Sequence, residues 1–235
     1  MRMRLSLVIL CAGLLLVFPP VFQMSYAQES TARQDINRRF VNPDFRVWAG
    51  RFERPGREVY DRRDDIVTAT GVTQGMSVAD VGAGTGLFTR LFSAAVGNTG
   101  KVYAVDISQV FIDNILRISR GHGQDNVVGV VNTPRSVSLP PDSADLVFIC
   151  DTYHHFEYPQ EMMRSIRDVL KPDGSVVIVD FRKIPGFSTP WVMGHVRANE
   201  AVFIKEIEAA GFKLVEDNDL LRTNYFLRFM PTQLQ

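Results

Sequence analysis

The sequence predicts an α/β fold in which a mostly parallel sheet carries helices on both faces. Three observations predict it. From Ser77 onward, short runs rich in Val, Ile and Phe alternate with stretches of helical periodicity, the pattern of successive βα units. The runs are apolar nearly throughout, as strands buried between two helical layers require. After Gly211 the alternation stops, and two further runs read as an antiparallel pair closing one sheet edge.

The parallel strands are read at "SVADVG", "KVYAVDI", "VVGVVN", "ADLVFICD" and "GSVVIVDF", and the edge pair at "KLVEDNDL" and "NYFLRFM". Helices are expected to start near Gly86, Ser108, Tyr158 and Asn199. Asn199 serves as the N-cap of the last, whose buried stripe is expected to be Val202, Phe203, Ile207 and Ala210. In "LKPDGS", Pro172 is expected to end a helix, and Asp173 with Gly174 to turn the chain into the next strand. Residues 28–69 read as a helical cap over the ligand cleft, with Trp48 and Phe52 packed beneath it, and residues 70–235 as the sheet domain.

Residues 1–27 are set apart from the fold. Two arginines precede the apolar run Leu5 to Phe18, Pro19 and Pro20 break it, and Ser25 and Ala27 supply the small residues of a cleavage site. A spanning helix needs about 20 apolar residues, so the run reads as a signal peptide of an exported, periplasmic or secreted protein. The alternative is an uncleaved anchor that would associate the chain with a membrane. Cys11 makes no lipoprotein site, because Leu10 stands where a small residue is needed.

The 26 basic and 26 acidic residues balance, so no long-range field draws the chain to nucleic acid, and none is expected as partner. Arginines cluster between Arg33 and Arg63, but acids are interleaved among them, the pattern of a solvated surface; Arg57, Arg62 and Arg63 are read that way. After cleavage only Cys150 remains, within "DLVFIC", and a single thiol forms no internal disulfide; it reads as a core residue.

The stretch Asp80-Val81-Gly82-Ala83-Gly84-Thr85-Gly86 ends the first strand and opens a helix. Glycines at every second position let a ligand approach the backbone, and the carboxyl end of such a strand is where open α/β sheets bind ligands. A dinucleotide fingerprint has its third glycine one residue later. The carboxylate of Asp80 would repel a pyrophosphate and suits a cationic ligand. A nicotinamide-dependent oxidoreductase is therefore disfavoured.

These residues resemble the class I S-adenosylmethionine-dependent methyltransferases, over about Asp61 to Phe229. "DVGAGTG" is similar to that family's first motif, and "VYAVDIS" to its second. The resemblance implies a Rossmann-like seven-stranded sheet with an antiparallel last strand, and S-adenosylmethionine as cofactor. It implies cofactor contacts from Asp80, Gly82, Ala83, Gly84, Thr85 and Gly86, from Asp106 to the ribose hydroxyls, and from Ile107 beside it. A carboxylate accepts two hydroxyl donors at once. Many relatives have an acid after the third strand for the adenine amino group; Asn132 stands here, and its amide oxygen still accepts. Tyr60, on the helix that covers the cofactor in relatives, and Asp151 complete the set. Tyr60 and Tyr153 also offer aromatic faces to a sulfonium, or pack in the core.

"DTYHHF" and "LKPDGSVVIVDF" are most similar to small-molecule methyltransferases, which implies a small-molecule acceptor near the ends of the fourth and fifth strands. Asp151, His154 and His155 are the catalytic candidates: either histidine offers a general base, or one fixes the loop through backbone. Tyr153, Asp180, His195 and Arg197 are the acceptor-binding candidates. Asp180 would orient a cationic acceptor or a histidine, and Arg197 would clamp an anionic group or form a structural ion pair. Asp151 and His195 would complete a metal set with the paired histidines, but adjacent histidines tend to point apart, so no metal is expected. The expected function is methyl transfer to a small molecule; the alternative is a noncatalytic exported binding protein that keeps the cofactor fold. "DTYHHF" also stands where a nucleic-acid methyltransferase would carry an Asn-Pro-Pro-aromatic motif.

Overall fold

The computed structural model describes residues 36–232; the leader at 1–27, Cys11 and the first residues of the expected cap lie outside them. Seven strands, β1 (Ser77–Val81), β2 (Lys101–Asp106), β3 (Val127–Val131), β4 (Ala144–Cys150), β5 (Leu170–Phe181), β6 (Phe212–Asn218) and β7 (Asn224–Pro231), make one sheet in the order β3-β2-β1-β4-β5-β7-β6. The first five run parallel, and β7 lies antiparallel to both β5 and β6. The chain leaves β1 toward one edge and returns to β4 on its other side. That switch point opens a crevice at the carboxyl ends of β1 and β4.

Four short helices, α1 (Arg38–Val41), α2 (Phe45–Phe52), α3 (Glu58–Asp61) and α4 (Arg63–Ala69), precede the sheet. The remaining helices are α5 (Leu87–Val96), α6 (Gln109–Gly121), α7 (Pro159–Val169), α8 (Pro190–His195) and α9 (Glu200–Ala209). The four expected helix starts are each met within one residue. Asn199 caps α9 by accepting from Val202 N, and Ser108 caps α6 by accepting from Phe111 N.

Strand side chains alternate between two cores. Ala79, Val81, Val147, Ile149, Val176 and Ile178 pack with Met163 and Ile166 of α7 and Phe203 and Ile207 of α9. Val78, Leu146, Phe148, Val177 and Val179 pack with Phe92 of α5 and Ile112 and Ile115 of α6. Helices therefore cover both faces, which is why the strands read as continuous apolar runs. Among the described residues no helix is long and apolar enough to cross a membrane.

Three local expectations are corrected. Val202 is 43% exposed while Phe203, Ile207 and Ala210 are buried; consecutive helical residues point about 100° apart, so Val202 and Phe203 cannot share a face. α7 ends at Val169 rather than at Pro172, because Leu170 is already extended, with φ −72° and ψ 136°. The "LKPDGS" stretch is taken up as an irregularity of β5, whose register against β4 jumps from Leu170 to Ser175. The third correction is α8, a helix at which none of the four expected starts falls. Thr189 caps it through Val192 N, and Pro190 occupies its first turn, a start signal legible in the sequence.

The helices before the sheet are tied down by polar contacts. Glu53, after α2, accepts from Thr85 Oγ1 at 2.7 Å and pairs with Arg90 at 2.7 Å. Glu58 of α3 accepts from the backbone of Arg222 and Thr223, just ahead of β7, and of Asn224 at its start.

Candidate active site

The glycine turn after β1 is held from two sides. Gly82 N donates to Val105 O at 2.8 Å, and its φ is 75°, where a side chain is strained. A Cβ at Gly82 would also stand 2.3 Å from the Thr152 side chain. Gly84 N donates at 2.8 Å to Oδ2 of Asp106, and Ser108 N donates at 2.9 Å to its Oδ1. Each oxygen of Asp106 keeps lone-pair capacity for a further donor. Asp80 is buried and accepts from Thr89 Oγ1 at 2.6 Å. Burial is the main cause that pushes the carboxyl of Asp80 up to about 7 and that of Asp106 up to about 6.

A cavity of about 380 Å³ is lined by this turn, by residues of α1 and α2 and by the loop after β4. Asp80, Gly82, Ala83, Gly84, Thr85, Asp106, Ile107 and Asn132 line one part. Phe40, Val41, Phe52, Phe156 and Met162 line another, together with Asn37, Arg57, Asp151 and His155. The lining therefore combines a polar, backbone-rich part with an apolar wall that carries a few polar side chains.

Residues 79–178 match the family described as a methyltransferase domain. The chain is 32% identical over 125 residues to the ubiquinone/menaquinone biosynthesis C-methyltransferase UbiE of Ectopseudomonas mendocina (strain ymp), covering 51% of this chain and 47% of that one. A solved S-adenosylmethionine-dependent methyltransferase from Aquifex aeolicus superposes with a TM-score of 0.71 at 23% identity, over 81% of this chain and all of that one. A methyltransferase domain thus occupies residues 79–178, in the fold of S-adenosylmethionine-dependent methyltransferases. The chain spans about half the length of the curated relative it matches. The fold alone does not set the chemistry, since the [4+2]-cyclase SpnF superposes with a TM-score of 0.61 at 23% identity, over 72% of this chain and 64% of that one.

The cofactor of this methyltransferase family is S-adenosylmethionine, and the residues present fit it. Asp106 offers two carboxylate oxygens fixed by backbone amides, the geometry that vicinal hydroxyls need. Asn132 donates through Nδ2 to Thr133 O at 2.8 Å, so its Oδ1 is the atom left to accept an amino group. Gly84 has no side chain to fill the space in front of Phe52, whose ring would stand 3.4 Å from a Cβ there. Gly86, by contrast, does not line the cavity; its φ of 80° starts α5. Tyr60 also lies outside the lining, with Arg63 stacked 4.7 Å over its ring and bonded to its carbonyl.

The acceptor candidates are divided. Asp151 and His155 line the cavity. His154 is buried behind it, with Nδ1 bonded at 2.7 Å to Oδ1 of Asp180, which also accepts from His154 N at 3.2 Å through Oδ2. Asp180 is fully buried, so of its two expected roles it fills that of orienting a histidine. Tyr153 is a core side chain whose hydroxyl donates to Glu206 at 3.2 Å. Arg197 is bound by both arms of its fork to Glu206, at 2.7 and 2.6 Å, and lies over the ring of Phe203. That is the structural ion pair rather than the anion clamp. His195 ends α8, with its ring stacked on Trp191 and its Nε2 3.3 Å from Nε2 of His155.

The ground on which a metal was not expected is corrected here. His154 and His155 lie in one 3-10 turn, Tyr153–His155, and their ring centroids are 4.3 Å apart. A tight turn sets consecutive side chains closer than an extended strand does. His155 is held neutral: burial, then His154, His195 and Arg39, push its pKa down to about 2. It is thus a weak base.

Several lining residues carry no motif. Arg57, expected at a solvated surface, pairs with Asp151 at 2.6 Å and donates to Phe52 O. Asn37, Phe40, Val41, Phe52, Phe156 and Met162 come from short helices and loops whose sequence reports apolarity only. Cys150 also lines the cavity, but burial pushes its thiol well above the usual range, so it is no nucleophile.

Proposed function

We propose that this chain transfers a methyl group from S-adenosylmethionine to a small, largely apolar acceptor. The observation that carries this reading is one continuous cavity, which joins the Asp106 and glycine-turn end to the wall of Phe40, Val41, Phe52, Phe156 and Met162. The cofactor supplies an activated methyl on a sulfonium. The chain's own residues then have to position and desolvate the acceptor, and the aromatic wall suits that task. The relatives' activity as C-methyltransferases supports carbon as the accepting atom. Asp151 and His155 are the polar side chains placed to orient the acceptor. Neither is a ready base: Arg57 and Asn224 hold both oxygens of Asp151, and His155 is kept neutral by its surroundings.

The leader-like residues 1–27 support an exported protein; N-terminal sequencing of the protein from cell fractions tests this, and an intact leader in the cytosolic fraction would sink it. The activity is tested by calorimetric titration with S-adenosylmethionine and its demethylated product, followed by transfer of labelled methyl to apolar phenols and quinols. Micromolar binding of both ligands with label transferred to carbon is expected. No binding of either overturns the reading.

A further inference from the structure

Three of the four histidines in the chain meet at one point. One ring nitrogen from each of His154, His155 and His195 lies within 4.8 Å of the other two. The hydrogen bonds behind two of them fix which nitrogen is presented. Asp180 can only accept from His154 Nδ1, so the proton sits there and Nε2 carries a bare lone pair. That Nε2 is buried without a hydrogen-bond partner, a deficit of about 1–3 kcal/mol in a protein interior. Asn37 uses its Nδ2 as donor to His155 O and Glu157, so its Oδ1 accepts from His155 Nδ1 at 3.1 Å. His155 Nε2 carries no proton for the same reason, so in its 3.3 Å bond to His195 Nε2 it accepts, and His195 gives up that proton when a metal binds.

We propose that His154, His155 and His195 bind one divalent transition-metal ion of the zinc type through their Nε2 atoms. Neutral imidazoles are the ligand form such ions require. A carboxylate on the far nitrogen of one ligand and an amide on that of another are the supports that orient ligating histidines. Zn–N bonds of about 2.0–2.1 Å at tetrahedral angles place nitrogens about 3.3 Å apart, which matches the 3.3 Å between His155 and His195. The other pairs lie within 4.8 Å and must shorten for all three nitrogens to bind one ion. Three protein ligands leave the fourth position to water or to an oxygen of the acceptor, the arrangement of catalytic rather than structural zinc. His155 is the ligand that lines the cavity, so the ion would stand at the acceptor end. The inference does not rest on methyl transfer, because metal binding is read directly.

The test uses the untagged full chain, freed of metal by chelation and titrated calorimetrically with Zn²⁺, and in parallel with Co²⁺ followed by visible absorption. One Zn²⁺ per chain is expected, with the intense visible band of tetrahedral Co²⁺. His195→Ala, at a half-buried position, should weaken Zn²⁺ binding at least 100-fold, and Asp180→Asn about 10–100-fold. His122→Ala, remote in the fold, should leave it unchanged. Circular dichroism of each variant separates loss of a ligand from loss of the fold. No stoichiometric binding by the wild-type chain overturns the proposal, as does undiminished binding by folded His195→Ala and His155→Ala.

Discussion

The guanidinium of Arg57 holds the carboxylate of Asp151 at 2.6 Å, and both side chains line the same cavity. Asn224 of β7 donates at 2.7 Å to the other carboxylate oxygen. Asp151 itself takes a φ of 47°, unusual for a residue with a side chain. The pair thus fastens the segment before α3 to the end of β4, where the acceptor is proposed to bind.

Removing Arg57 leaves a buried carboxylate without its countercharge. Arg57→Ala is expected to cost about 3 kcal/mol in urea unfolding at neutral pH. Adding Asp151→Asn should recover part of that loss, because the stranded charge goes with it. Strict additivity in the double-mutant cycle would show that the two groups do not interact.

Asp106→Ala removes the carboxylate proposed to accept from both ribose hydroxyls. Charge-assisted hydrogen bonds contribute about 1.5–3 kcal/mol each, so S-adenosylmethionine should bind at least about 100-fold more weakly by calorimetry. Wild-type affinity in a folded variant would relocate the ribose.

The acidity of Asp106 gives that affinity a pH dependence. Burial raises its carboxyl from 3.8 to about 6, and the hydroxyls need the ionised form. Affinity should therefore be steady above about pH 6 and fall roughly tenfold per unit below it. Asp106→Asn should flatten the profile. For stability of the free protein the sign is opposite. Asp80 and Asp106 hold their protons more tightly folded than unfolded, so their contribution is fully present below pH 3.8 and is lost as pH rises through about 6 and 7. The stability difference between wild type and Asp80→Asn, followed over that window, should narrow on the acid side.

Much of this architecture was legible in the chain, and the exceptions have physical causes. Strand runs and the Asp80 to Gly86 turn are local patterns with one structural solution, so they and the Asp106 position read directly. Pairings between distant segments leave no local trace. Nothing near Arg57 reports that Asp151 waits 94 positions away. Nothing near Arg197 distinguishes a clamp from the bidentate bond to Glu206. The meeting of the three histidines depends on a 3-10 turn and on α8, and only the second carried a signal, in Thr189 and Pro190.

Arg197 offers a check on that distinction. Arg197→Ala should lower stability by about 2 kcal/mol through loss of the Glu206 bonds, while cofactor affinity stays within about twofold. A large rise in acceptor KM at unchanged stability would return Arg197 to the acceptor site.

Gly82→Ala would combine strained backbone with a clash on Thr152, and about 3 kcal/mol of destabilisation is expected. An unaltered melting temperature would show that the turn and the loop after β4 yield to one another.

The two ends of the cavity rest on unlike foundations. Asp106 and the glycine turn stand on neighbouring strands in fixed register, with Val81 opposite Val105, where a one-residue slip would turn every side chain to the wrong face. Phe40, Val41 and Phe52 stand on helices of four and eight residues that share no ladder with the sheet. Substitutions at Phe40 and Val41 in that wall are expected to change what the cavity admits while leaving the strand register under the glycine turn intact. A lineage of such proteins is free to exchange one acceptor for another while inheriting its methyl donor intact.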